Sequence, residues 1–254
     1  MLAALLVAIA LAVVAWFAAG ARRGLRPLAA LDGAQARRRY RRTVVRSWIA
    51  FGVLPAVGLL LIGRVDAIGR FPQELATLRL PLLTMSNPAS FVRGAAIGLT
   101  AGEVLLITTL LVKRRRGMAA KVPIGGAGLM PRNRGELAWA GLLAVSAGIV
   151  EELFFRLFLP LVVVLATGSA VAGLFVGAAA FGAVHRYQGW LGMLATFAIG
   201  LVLSGFYFGS GSLWLAMAVH AAINLNALVV RPLAGGVLSG PTHASCSKRV
   251  VDSD

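Results

Sequence analysis

The chain has 254 residues, of which 59% are hydrophobic and only 13% charged, with a mean hydropathy of +0.84. An ordinary water-soluble domain carries about 45–50% apolar and about 25% charged residues, so a cytosolic enzyme and a disordered chain are both excluded. The single cysteine, Cys246, rules out a disulfide framework and a thiolate-only metal site. The net charge of +16 comes from short basic blocks set between apolar runs. That is the pattern of a multi-spanning membrane protein and not of a nucleic-acid binder.

A helix needs about 20 apolar residues to cross a bilayer core. The first such run is Met1 to Gly20. Its arginines (Arg22, Arg23, Arg26) follow it, the reverse of a cleavable signal peptide, so it is expected to be a retained span. Further spans are expected at Trp48–Gly63, Gly94–Val112, Leu137–Leu159, Ala170–His185, Trp190–Phe208 and Leu213–Val230. The predicted fold is an all-α polytopic bundle of seven membrane helices. The count depends on Leu161–Thr167, which either extends the fourth span past Pro160 or makes an eighth element.

Residues 21–46 carry nine Arg/Lys and residues 113–136 carry seven, and Arg186, Arg231, Lys248 and Arg249 fall on the same side. The opposite side has four, Arg64, Arg70, Arg79 and Arg93. The positive-inside rule then predicts the N-terminus outside and the C-terminus in the cytoplasm. The arginine tracts are placed to meet anionic lipid, at ~1 kcal/mol per basic residue near the surface. The Gly125–Gly128 patch lacks the preceding strand and GK[ST] of a phosphate loop and is expected to be a connection. Three divisions are expected: helices and basic loops over 1–134, a core over 135–230, and a polar tail over 231–254, with Cys246 too far from the end for a prenylation box.

An ionisable side chain at mid-bilayer costs ~2.5–3.5 kcal/mol on insertion scales, so polar islands in the spans need a reason. Span four holds Glu151, Glu152 and Arg156; span five ends in Phe181 and His185; span seven holds His220 and Asn224. Glu152 and Arg156 are i,i+4 with the acid first, the better orientation for a pair. Glu151 is rotated about 100° away and is free to face another helix. Phe181 and His185 share a face, as do His220 and Asn224, so the ring is expected to wall a pocket beside the imidazole. A carboxylate and a histidine can hold and deprotonate water, while a second histidine and an amide can stabilise an oxyanion. No Ser-His or Cys-His arrangement competes. Glu103, mid-span in Thr100-Ala-Gly-Glu-Val, fits no motif.

The series Glu151-Glu152-x-x-x-Arg156, Phe181-x-x-x-His185 and His220-x-x-x-Asn224 on successive helices resembles the CPBP family, the CaaX proteases and bacteriocin-processing enzymes, also called ABI. The resemblance covers about residues 135–230. It implies an intramembrane endopeptidase, with Glu151 and His185 activating water, His220 and Asn224 forming an oxyanion hole, and Glu152 and Arg156 orienting the site. It implies a membrane-associated protein or peptide as substrate, while the apolar runs and basic loops already lead us to expect the lipid bilayer as surroundings, no nucleic-acid partner, and a multi-pass location in a cell membrane, expected to be bacterial. The glutamate-dependent, cofactor-free reading is preferred. The alternative is zinc on Glu151, His185 and His220, although no HExxH helix is present. Two other functions are weighed: a non-catalytic immunity or scaffold protein of the same fold, and a proton-coupled transporter, which lacks the expected repeat symmetry.

Depth poses a problem for convergence. Glu151 is some 14 residues into span four, roughly 21 Å, whereas His185 is at the cytoplasmic end of span five. Tilt, an extension of span five, or a broken fourth helix are the ways to bring them together.

Overall fold

The computed structural model describes residues 1–21, 31–79, 88–116 and 129–234. The arginines at 22, 23 and 26, the Gly125–Gly128 patch, Cys246 and the tail beyond 234 lie outside the described residues. The described residues form seven continuous helical rods and no strand. They are α1 (Leu2–Ala21), α2 (Gly33–Leu61), α3 (Pro88–Arg115), α4 (134–167), α5 (Ala170–Val184), α6 (Gly189–Ser210) and α7 (Leu213–Ala234). Among the described residues, four are long and apolar enough to cross a membrane: Leu2–Gly20, Gly33–Leu61, Arg186–Ser210 and Leu213–Ala234. Ala96–Thr109 within α3 and Ala170–Val184 are shorter apolar helices.

Two helices run further than hydropathy suggests. The second was expected to start at Trp48, but α2 begins at Gly33, capped by Asp32 accepting from Gln35 N at 2.7 Å. Five arginines between Arg37 and Arg42 do not interrupt it, because charge on an outer face costs the backbone ladder nothing. Ala36, Tyr40 and Ser47 are its buried residues there. The Tyr40 hydroxyl donates to the Leu129 carbonyl at 2.8 Å, tying α2 to the approach to α4.

The fourth helix passes through Pro160 and ends at Thr167, so Leu161–Thr167 extends it and is not an eighth element. Proline has no N–H and its ring crowds the carbonyl four residues back. Here the turns before it, Leu153–Phe158, are π-helical, and Pro160 sits in the first turn of the α-segment that follows. The start of α4 is firmly capped: Asn133 Oδ1 accepts from Glu136 N at 2.9 Å, and Glu136 Oε2 accepts from Arg132 N at 2.8 Å. Burial pushes the Glu136 carboxyl up, but hydrogen bonds from Arg132 hold it below its ordinary value.

Tight glycine contacts set the helix spacing. A Cβ on Gly148 would fall 2.6 Å from the Ala221 amide nitrogen, so α4 and α7 touch backbone to backbone. On the other side of α4, a Cβ on Gly177 would lie 2.5 Å from the Phe155 carbonyl oxygen, and one on Gly173 2.8 Å from that of Pro160. The core fills with aromatic rings where these helices meet: Phe51, Phe154, Phe155, Phe158 and Phe181 are all buried.

Candidate active site

The α4–α5 connection resolves the depth problem. Gly168 takes the left-handed conformation (φ 75°), and Ser169 caps α5 by accepting from Ala172 N at 3.2 Å. Glu151 lies sixteen positions before Thr167, and His185 lies sixteen after Ser169. At 1.5 Å per residue each is about 24 Å from the turn, so the two arrive level. Depths counted from the other ends mislead because α4 runs on well past the end of α5.

A cavity of about 230 Å³ opens where they meet. Glu151, His185 and Asn224 line it, one from each of the three polar motifs. Apolar side chains including Phe51, Leu143 and Leu228 form much of the remaining wall. The α1 and α2 helices also contribute, through Phe17, Thr43, Arg46 and Ser47. Nothing in the spacing of the first two helices marks them as site residues. The Arg46 guanidinium lies 4.4 Å over the Trp16 ring, a contact between two helices that sequence proximity does not predict. Tyr187, also in the wall, stacks 5.8 Å from His185.

His185 follows the last residue of α5, and its Nδ1 is 2.8 Å from the Phe181 carbonyl. A carbonyl only accepts, so Nδ1 carries the proton and Nε2 offers a lone pair. His185 is therefore set to accept a hydrogen bond from water. His220 is held differently. Its Nδ1 is 2.7 Å from Glu152 Oε1, and its Nε2 is 3.8 Å from Glu151 Oε2. It is buried behind the cavity and is not among the lining residues. With Glu152 ionised, Nδ1 again donates, and Nε2 bears a proton only in the imidazolium form.

Glu152 Oε1 also meets Arg156 at 3.0 Å. Both residues are essentially fully buried, at 0% and 1% exposure. The contact is an ion pair without good hydrogen-bond alignment, since the terminal nitrogens of Arg156 and Glu152 Oε2 make no hydrogen bond. The Phe181 ring supplies the remaining support, with the guanidinium 4.1 Å over its face. Phe181 is also 4.8 Å from His185 and 5.5 Å from His220, edge-on to both. It holds the imidazoles from behind and does not wall the cavity itself.

Among the described residues, no three His, Cys, Asp or Glu are grouped to hold a metal ion. The zinc set of Glu151, His185 and His220 is therefore not gathered as ligands. Ser204, a serine within this half of the chain, donates its hydroxyl to the Gly200 carbonyl of its own helix at 2.9 Å. Glu103 belongs to α3, and none of the described side chains of that helix lines the cavity.

Residues 133–226 match the family model described as Rce1-like, type II CAAX prenyl endopeptidase. The matched stretch runs from the cap of α4 into α7 and contains all three polar motifs. No curated protein and no solved structure matches the chain.

Proposed function

From this Rce1-like domain over residues 133–226, we propose that the protein is an intramembrane endopeptidase that hydrolyses a peptide bond of a membrane-associated protein or peptide. One observation carries the reading: Glu151, His185 and Asn224, distant in sequence and each on a different helix or helix end, line one cavity. Its largely apolar wall suits an extended lipophilic peptide. The basic loops support a topology with the N-terminus outside and the C-terminus in the cytoplasm.

In the proposed mechanism, the Glu151 carboxylate removes a proton from water while His185 Nε2 accepts the other hydrogen and orients the oxygen. The hydroxide attacks the carbonyl carbon, and its π electrons move to oxygen. The Asn224 amide, which lines the cavity, donates to that oxyanion. Such donors are typically worth ~3–4 kcal/mol each. The C–N bond then breaks, and protonated Glu151 returns its proton to the leaving nitrogen. Glu152 and Arg156 position His220 and touch no reacting atom. No cofactor is needed in this scheme.

The test compares the membrane peptidomes of cells carrying the native protein and Glu151→Gln. Loss of the base should slow turnover by about 10²–10⁴-fold, so an uncleaved precursor should accumulate. If none accumulates while the variant folds normally, a scaffold or immunity role replaces the hydrolase.

A further inference from the structure

A second cavity, of about 100 Å³, lies near the turn between α6 and α7, away from the glutamates. The segment after α2 forms two short 3-10 turns, Val65–Ile68 and Gln73–Leu78, and Ala67 to Arg70 line the cavity. Arg70, Tyr207 and the stretch from Gly211 to Trp214 are among its lining. Tyr207 is 1% exposed, and its hydroxyl is buried without a hydrogen-bond partner. A buried phenol ordinarily finds one.

The other groups around this cavity are donors and cations. The first turn of α7 contributes Leu213 and Trp214 to its lining, next to the cap residue Ser212. Ser212 accepts from Leu215 N at 3.3 Å, which leaves the Leu213 and Trp214 amides outside the helical ladder. Arg70 lines the cavity, and Arg79 lies against Gly211, within 3.4 Å of where a Cβ would stand. The two acids of this segment, Asp66 and Glu74, both pair with Arg64. Among the described residues no ion pair joins an acid to Arg70 or Arg79, and the Arg79 guanidinium lies 5.4 Å over the Phe71 ring. A site built from an orphan O–H, helix-start amides outside the ladder and the Arg70 guanidinium has donors to spare and no acid in its lining.

We propose that this cavity binds a small oxyanion of the phosphate class, held by Tyr207, Arg70 and the first amides of α7. It is far larger than the about 10–15 Å³ that one water needs, and too small for a peptide. A lipid headgroup and free phosphate present the same chemistry. Trp214, 60% exposed beside the cavity, is a residue type that favours the headgroup level.

The full chain in nanodiscs of neutral lipid, titrated with inorganic phosphate at constant ionic strength, tests this. A parallel sample in phosphatidylglycerol nanodiscs separates the two sources. The unfolding midpoint of the native protein should rise with phosphate, with phosphatidylglycerol, or with both. A response to phosphatidylglycerol alone assigns the headgroup, and a response to phosphate assigns the free ion as sufficient. Arg70→Gln should weaken apparent binding roughly tenfold or more, since it removes a charge-assisted contact. Tyr207→Phe should also abolish most of the shift. Without anion, Tyr207→Phe should leave the midpoint unchanged or raise it, because an orphan hydroxyl has gone. No shift with either probe, or a full shift in either variant, overturns the proposal and leaves a water-filled cavity.

Discussion

Helices α3 and α4 both read as membrane spans from hydropathy, yet they bury their residues in opposite ways. Along α3, Ile97 and Leu105 are each 70% exposed, and no atom outside the helix backbone lies within 4 Å of where a Cβ would stand on Gly94, Gly98 or Gly102. Along α4, Phe154, Phe155, Leu157 and Phe158 are sealed, and Gly148 touches the α7 backbone. Lipid tails are as apolar as leucine, so hydropathy cannot tell a surface that meets lipid from one that meets protein. On α4 the buried Glu152 and Arg156 pair with each other and are set against His220 of α7 and the Phe181 ring of α5.

The sharpest way to break that contrast is to remove a buried charge. Arg156→Ala strands Glu152 beside an unsupported imidazole. It should cost ~3–5 kcal/mol of unfolding free energy, read by denaturant titration in micelles. Arg115→Ala, at the exposed end of α3, should stay within about 0.5 kcal/mol of native.

Adding a methyl group probes packing in the same two places. Gly148→Ala must push α7 away by its backbone and should destabilise by ~1–3 kcal/mol, disturbing His220 next to Ala221 as it does so. Gly98→Ala meets open space and should stabilise by ~0.5–1 kcal/mol, the usual gain for filling an exposed helical glycine. Equal effects at both sites, measured by thermal unfolding, would erase the distinction drawn between the helices.

The smallest effect lies outside the bundle, in the Arg64–Glu74 pair. Hydrogen bonding to Arg64 holds the Glu74 carboxyl below its ordinary value of 4.5. Its contribution is therefore fully present above the unfolded value and is lost as pH falls through the lower folded one. Because both side chains are partly exposed, at 24% and 27%, the contribution should be ~0.2–1 kcal/mol and weaker in salt. Comparing native protein with Glu74→Gln between pH 6 and pH 3 should show the difference vanish on the acid side.

Much of the candidate site was legible because it is written at helical spacing. The i,i+4 pairs Glu152/Arg156, Phe181/His185 and His220/Asn224 each announce a shared face, and the ion pair and the His185–Phe181 contact both appear. The partner of His220 Nδ1 is not legible, because Glu152 is 68 residues away and its spacing points only to Arg156. The reason is geometric: Glu152 Oε1 takes the hydrogen bond of His220 Nδ1 while lying 3.0 Å from the Arg156 guanidinium. The π-helical turns Leu153–Phe158 left no trace in the sequence either, since no side-chain period marks a ladder that shifts by one residue. Nor did the contribution of α1 and α2 to the cavity, which depends on packing and not on any motif.

The turn at Gly168 and Ser169 has an implication for how this chain can vary. It is the shared origin from which two long arms descend, and the meeting of Glu151 with His185 depends only on those arms keeping equal length. One residue inserted between 152 and 167, or between 170 and 184, would displace its arm by about 1.5 Å and swing every side chain below it by about 100°. Lengthening the chain ahead of Asn133 would alter neither arm. Indels should therefore be tolerated on one side of this domain and forbidden on the other.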